Sequence, residues 1–507
     1  MSHRPEAAPG WWTRPSVLAA CVLLALVPLL YPPIPPLVDL PGHMGRYAVQ
    51  LDPTPFRDWY AFRWQLIGNL GVDLLVEPLG RLFGVEFGTK LIVMAIPALA
   101  VAGLLCIARE VHGRVPPTAF FALPLIWGHP FVFGFVNFSL AMALALIGFA
   151  LWLRMARKGA ARSRAFVFLP LACIVWTAHT FGWGLLGLLC FSAELIRLRD
   201  LGRTWLTSAA ASALACLPMA LPLVPMLLWR SGATDMTGDW FDWGTKSLWL
   251  LTILRDRWQA FDLASLAVIV GLIFIALRHP ALTFSRNLSV SALVLLTVFV
   301  LLPRIIFGSA YADMRLTPYL FAVAIVAIRP KPEASAKFLT TLAAIGIAFF
   351  AVRIGAHTAS MGVASARYDR ALVALDHILP GARVAAFTRR TCGMEWSTNR
   401  MEHLAALVIV RRQGFSNDQW DVSGANLMTI TKADALGFAV DPSQLVVPQR
   451  CGRGAPWMTP DEALAKLPRG AFDYVWLIDP PRYDARLTAG MTPVWRDGSD
   501  VLYRIDR

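Results

Sequence analysis

The chain has 507 residues, 56% of them hydrophobic, a mean hydropathy of +0.54 and a net charge of +14 at pH 7. That balance excludes a chain that is soluble throughout, which would be far more polar. The positive surplus lies mostly in short loops between apolar runs and not in Lys/Arg blocks interleaved with aromatics, so it is orientation charge and not a nucleic-acid footprint.

Apolar runs fall near residues 16–31, 88–108, 117–136, 138–153, 165–178, 181–196, 204–229, 263–277, 287–303, 316–328 and 338–352, which predicts about eleven membrane helices. Several are shorter than the roughly 20 residues of a full crossing, and the close pairs 117–153 and 165–196 are candidates for broken or re-entrant helices. The first run follows Arg14 and leads into Tyr31-Pro32-Pro33 without a small-x-small cleavage site, so it is expected to stay as an anchor. With the N-terminus in the cytoplasm, the inside segments hold Arg109, Arg114, Arg154, Arg157, Lys158, Arg197, Arg199, Arg278, Arg286, Arg329 and Lys331, while the turns near Asn137 and His179 hold no cation. The asymmetry places residues 34–87, 230–262, 304–315 and 353–507 outside, in the periplasm of a bacterial inner membrane. The expected fold is mainly α: a polytopic transmembrane helical bundle over residues 1–352, with a first periplasmic loop at 34–87, then a periplasmic α/β domain over 353–507.

The first outer loop carries Val38-Asp39-Leu40-Pro41-Gly42-His43 and, further on, Arg46. Asp39 suits a helix N-cap and Pro41 the first turn, after which positions 39, 43, 46 and 50 share one face. Asp39 is the candidate general base, with capping as the alternative role. Arg46 is a candidate phosphate ligand, and His43 a supporting group or a structural hydrogen-bonding residue. Asp52, before Pro53, reads as a turn residue. Residues 64–87 have the spacing of amphipathic helices lying in the membrane interface.

Further along, His129, Asn137 and His179 mark the short outer turns; each either lines a cavity or faces water. Loop 230–262 places Asp235, Asp239 and Asp242 among Trp240, Trp243, Trp249 and Trp258, which read first as an interfacial belt. No metal-loop spacing is present. The segment 304–315 gathers Arg304, Tyr311, Asp313 and Arg315 at the edge of the bundle. A planar guanidinium suits phosphate oxygens, so Arg315 and Arg304 are the candidate phosphate ligands, with Asp313 expected to orient Arg315 and Tyr311 to serve as anchor or contact. Snorkelling to the interface is the alternative.

In the tail, residues 366–379 and 402–411 read as helices, and 383–387, 474–478 and 501–505 as strands; Thr459-Pro460-Asp461-Glu462 reads as a capping box. His403 and Trp396 are possible contacts, read first as structural. Cys392 and Cys451 are either a disulfide or two free thiols. The other five cysteines sit in apolar runs as core fillers. No Walker loop, nucleophile elbow, zinc signature or dinucleotide fingerprint is present.

An acidic first outer loop, a following interfacial helix, about a dozen spans, a late cationic motif and an outer C-terminal domain together resemble the GT-C superfamily of polytopic glycosyltransferases. The resemblance implies a polyprenyl-phosphate sugar donor, an envelope acceptor (lipid, glycan or protein) and an inverting displacement at the periplasmic face. It carries Asp39 over as the base and Arg315 as a ligand of the lipid phosphate. Residues 40 and 41 are Leu and Pro, so no D-x-D or E-x-D pair is present. No nucleotide is needed by this reading, and a divalent metal stays open as a cofactor without a clear motif to support it. Two other classes fit the weaker signals: a transporter or flippase of lipid-linked substrates, and a non-catalytic partner in envelope glycan assembly.

Overall fold

The computed structural model describes residues 10–228, 237–306, 309–422, 426–452 and 455–507, so Asp235, Phe307 and Gly308 lie outside the described residues. The first expected span is two short helices, α1 (Pro15–Leu24) and α2 (Val27–Leu30), divided by a turn at Ala25 and Leu26. Pro28 lacks the N–H an uninterrupted helix would use. The first outer loop then forms α3 (Leu40–Leu51), strand β1 (Tyr60–Phe62) and α4 (Gly71–Phe83).

The bundle continues with α5 (Val85–His112) and a 3₁₀ stretch at Pro117–Trp127 that leads into α6 (His129–Phe133). Prolines 117, 124 and 130 account for the broken form of that segment. Next come α7 (Val136–Arg157), α8 (Arg164–Ala178), α9 (Thr180–Asp200), α10 (Trp205–Cys216) and α11 (Leu223–Leu228). A second outer segment holds α12 (Trp243–Leu251). The last part comprises α13 (Gln259–Arg278), β2 (Leu282–Phe284), α14 (Arg286–Leu301), α15 (Ala312–Val326), β3 (Ile328–Pro330) and α16 (Ala336–Leu372). Each expected apolar run therefore coincides with a helix or a broken helix. Five described segments, Val85–His112, Val136–Arg157, Thr180–Asp200, Gln259–Arg278 and Ala336–His377, are long and apolar enough to cross a membrane. The chain is a multi-pass membrane protein.

Small residues let these helices approach closely. A Cβ on Gly182 would lie 2.6 Å from Ala141, and one on Gly103 would lie 2.7 Å from Leu146 Cβ.

The boundary expected between residues 352 and 353 falls inside α16, a single rod of 37 residues. The apolar run ends there because the next turns of the helix bury polar groups, Arg353, His357 and Ser360, and not because the helix stops. The sheet domain begins after a 3₁₀ turn at Val373–His377. Its strands are β4 (Arg383–Arg389), β5 (Phe415–Ser416), β6 (Met428–Ile430), β7 (Leu445–Val446), β8 (Tyr474–Ile478), β9 (Met491–Asp497) and β10 (Asp500–Ile505). Its helices are α17 (Leu407–Arg412) and α18 (Pro460–Lys466). The main sheet runs β5-β4-β8-β10-β9, with β7 also on β4. β4 is parallel to β5, β7 and β8, and β10 is antiparallel to β8 and β9. β8 is buried on both faces, as its unbroken Tyr-Val-Trp-Leu-Ile run demands. The capping box of α18 forms as the sequence predicts: Glu462 N donates to Thr459 Oγ1 at 3.3 Å, and Thr459 N to the Glu462 carboxylate at 3.0 Å.

The tail is joined to the first loop and to the segment that follows α12. β6 pairs antiparallel with β1, Ile430 opposite Tyr60. Trp396 Nε1 donates to Asp262 at 2.8 Å, Arg353 reaches the same carboxylate at 2.7 Å, and Arg400 donates to the Asp256 carboxylate and to Pro36 O, the latter at 2.7 Å. His357 Nδ1 lies 3.1 Å from Asp256. Residues of the first loop, the second outer segment, α16 and the tail thus meet in one buried polar seam. β2 pairs with β3, joining the segments that precede α14 and follow α15.

Candidate functional site

The site is organised around α3. Gly42 and Gly45, three residues apart, leave one face of that helix without side chains, and the tail packs onto it. A Cβ on Gly42 would lie 2.6 Å from the Trp420 ring, and one on Gly45 2.9 Å from Gln419 Nε2. Gln419 Nε2 also donates to Gly42 O at 3.2 Å.

Asp39 stands at the start of α3, but its carboxylate does not cap the helix. Its backbone is fixed instead: Asp39 N donates to Phe133 O at 2.9 Å, and Gly134, with φ +103°, passes so close that a Cβ there would lie 2.8 Å from Asp39 N. Only glycine fits both the left-handed backbone and that approach. The Asp39 side chain is 11% exposed, and its ion-pair neighbour among the described residues is His403, Nε2 to Oδ1 at 3.9 Å. Burial raises its pKa to about 7, with Glu402 and Asp441 pushing the same way and His403 and Arg315 opposing. The carboxylate is therefore available for proton transfer near neutral pH.

The expected face of 39, 43, 46 and 50 does not act as one set. Arg46 is committed to the buried Asp73 of α4 through both terminal nitrogens, and Gln50 Nε2 donates to Asp73 O at 2.8 Å. Asn137 Nδ2 completes the Asp73 carboxylate at 2.9 Å. This corrects the reading of Arg46 as a phosphate ligand, since its planar fork already has a carboxylate. His43 lies between Tyr47 and Trp420, with ring centroids at 6.2 and 5.1 Å. Burial, then Arg46 and His403, hold its pKa well below the usual imidazole value. Asp52 accepts from Thr54 N at 3.0 Å, the turn role its sequence suggested.

Arg315, 9% exposed, lies near the start of α15. The structure corrects its expected partner: Asp313 pairs with Lys246 of α12, Nζ to Oδ2 at 3.0 Å. No carboxylate reaches ion-pair distance of Arg315 among the described residues. Its guanidinium sits over Phe135 at 4.2 Å, with Phe138 and Phe181 each at 5.8 Å, and its polar contacts are to Ser309 Oγ and Ala310 O, each at 3.4 Å. His179 caps α9 by accepting from Phe181 N at 3.1 Å, and its ring packs against the same Phe138 and Phe181.

Tyr311 takes the left-handed conformation, φ +66°, at the turn into α15. Its ring meets Phe133, Phe135 and Trp249. Arg304 lies 5.9 Å from that ring and 3.7 Å from Asp239. Tyr311 and Arg304 both line a cavity of about 740 Å³ between the bundle and the tail, which Val38 and Glu402, the chain neighbours of Asp39 and His403, also line. On the tail side of the cavity Arg389 pairs with Glu395 and Asp479, and Arg390 pairs with Glu402 and lies over Trp457 at 4.4 Å. Cys392, on the same wall, is joined to Cys451, Cα–Cα 5.3 Å. Asp242 caps α12; Trp240, Trp243 and Trp258 are exposed, whereas Trp249 is buried against Tyr311 and does not join a belt. Among the described residues, no group of three or more His, Cys, Asp or Glu side chains is placed to hold a metal ion.

Sequence reading named His403 only as a possible contact, and it missed Glu402, Asp73 and Lys246. Only the last carried a usable signal, a lone lysine amid tryptophans next to hydrocarbon, which needs a buried partner.

No protein-family model and no curated protein sequence matches the chain. Among solved structures it is similar to ArnT from Cupriavidus metallidurans bound to undecaprenyl phosphate, at 17% identity and a TM-score of 0.50, with 98% of each chain covered. The apo crystal structure of ArnT from Cupriavidus metallidurans gives 14% identity over 96% of each chain and a TM-score of 0.49. The likeness to the lipid-bound structure runs the length of both chains, and this chain has the fold of ArnT.

Proposed function

We propose that this protein is an integral-membrane glycosyltransferase that moves a sugar from a polyprenyl-phosphate donor to an envelope acceptor on the periplasmic side of a bacterial inner membrane. The acceptor hydroxyl loses its proton to Asp39 as its oxygen attacks the anomeric carbon. The bond from that carbon to the phosphate oxygen breaks, its electron pair leaves with the polyprenyl phosphate, and the anomeric configuration inverts. Arg315 stabilises the departing phosphate, with Arg304 on the cavity wall and Tyr311 and His179 supporting the aromatic frame. Arg46, His43 and Asp313 hold the helices that carry these groups.

The observation that carries this reading is the placement of Asp39 and Arg315. One is a buried carboxylate without a capping bond, the other a buried guanidinium without a carboxylate, and each feels the charge of the other. A site that leaves Arg315 without a carboxylate partner among the described residues, and Asp39 with an ion-pair neighbour only at 3.9 Å, is built to receive a ligand that completes them. The full-length likeness to a structure bound to undecaprenyl phosphate supports a lipid phosphate as that ligand. The gathering of 34–87, 239–262, 304–306, 309–312 and the tail at one end of the bundle supports the proposed orientation. A flippase would carry its charges deeper among the spans. The test is thermal unfolding of the purified protein with added undecaprenyl phosphate. The reading predicts a concentration-dependent rise in Tm that is lost in Arg315→Ala; no rise in the wild type would exclude undecaprenyl phosphate as the lipid carrier.

A further inference from the structure

We propose that His403 is a positioning residue that keeps Asp39 ready to accept a proton, so the C-terminal domain supplies half of an acid–base pair whose other half sits on the first outer loop. The inference rests on Asp39 acting as the base.

The geometry fixes both the ring and its tautomer. His403 Nδ1 lies 3.0 Å from Asp418 O, a carbonyl that can only accept, so Nδ1 carries a hydrogen. That leaves Nε2 directed at Asp39 Oδ1, 3.9 Å away, beyond hydrogen-bond length but within ion-pair reach. The ring is held against Trp420 at a centroid distance of 4.4 Å, and Trp420 in turn rests on Gly42 in the turn after Asp39. Arg400, anchored in the Asp256 seam, fixes the chain just ahead of Glu402 and His403.

The charges around the pair need a cation at this point. Asp39 is faced by Glu402 and Asp441, which favour its protonation, and by His403 and Arg315, which oppose it. His403 is faced by Asp441, Asp39, Asp418 and Glu402; burial works against its proton, but those four acids outweigh it and raise its pKa. His43 also packs on Trp420, at 5.1 Å, and adds no charge when neutral. Without the His403 cation, burial and two acids would leave Asp39 protonated at neutral pH and unable to take a proton from an acceptor. A histidine that merely packed against Trp420 would not need its free nitrogen turned toward the buried carboxylate.

The experiment is an infrared titration of full-length protein in nanodiscs, following the protonated-carboxyl band that disappears in Asp39→Asn. His403→Gln should move the midpoint of that band upward by at least about one pH unit, His403→Asn should do the same, and His403→Lys, which keeps the cation, should restore it towards the wild-type value. An unmoved midpoint in His403→Gln or His403→Asn overturns the proposal. This readout needs no turnover. A protein that shows the band shift but transfers no sugar would keep the pair and remove the glycosyltransferase reading.

Discussion

Lys246 Nζ lies 3.0 Å from Asp313 Oδ2, with both side chains buried and the lysine also bonded to the carbonyls of Phe299 and Leu302. This pair joins α12 to the start of α15 and takes Asp313 away from Arg315. Asp313→Asn leaves a buried ammonium without its counter-charge, a loss of about 3–5 kcal/mol for a broken buried pair. Thermal unfolding in detergent should show that loss. The donor KM of whatever protein folds should stay near wild type. A stable variant with a raised KM would return Asp313 to the phosphate site.

Arg315 carries the opposite expectation. Its guanidinium has rings around it and no carboxylate within ion-pair distance among the described residues. Removing it relieves an uncompensated buried charge, so Arg315→Ala should unfold no earlier than wild type. Transfer from the lipid donor should still fall by about two orders of magnitude in kcat/KM, the scale of losing one charge-stabilising group at a transition state. Arg315→Lys should recover part of this, since it keeps the charge and loses the fork.

Asp39 sets the pH dependence. A base must be ionised, and burial, Glu402 and Asp441 place its pKa at about 7, so the rate should rise with pH through about 7. Glu402→Gln removes one of the charges that raise it and should move that limb to lower pH. Stability runs the other way. The folded pKa lies above the unfolded value, so the folded state holds the extra proton, and stability falls as pH climbs from about 4 to above 7. Asp39→Asn should therefore unfold later than wild type at pH 8 and lose that advantage at pH 4. Equal unfolding of the two at pH 8 would contradict the burial of a charged carboxylate.

Arg400 docks the tail through the Asp256 carboxylate, Pro36 O, Met361 Sδ and Ser360 Oγ. Arg400→Met keeps volume but strands Asp256 beside His357. The expected result is faster proteolysis after α16, with the bundle intact and transfer lost. An undigested tail would mean that β1–β6 pairing and the glycine face of α3 suffice to hold it.

Much of this architecture was legible because it follows from hydropathy and periodicity. The eleven apolar runs, the buried Tyr474–Ile478 strand and the Thr459–Glu462 capping box each rest on local chemistry that the chain carries in a few consecutive residues. The gathering of 34–87 with 304–306 and 309–315 at one edge was legible from charge placement between spans. Partners were not. Arg46 and Asp73 are 27 residues apart and Asp39 and His403 are 364 apart, and nothing local to either end announces the other. The course of α16 past residue 353 was hidden for a related reason: its upper turns bury Arg353 and His357 against Asp262 and Asp256, so a polar stretch that reads as solvated is packed. Gly42 and Gly45 were visible as residues, but only the docked tail reveals that their spacing makes a flat helix face.

The most direct test of Asp39 as the base of a sugar transfer is mass spectrometry of envelope lipids and glycans from a deletion strain carrying either the wild-type gene or Asp39→Asn at matched membrane abundance. The wild type should restore one sugar modification, and Asp39→Asn should leave the unmodified acceptor accumulating as in the deletion. Full restoration of the modification by Asp39→Asn would contradict the assignment.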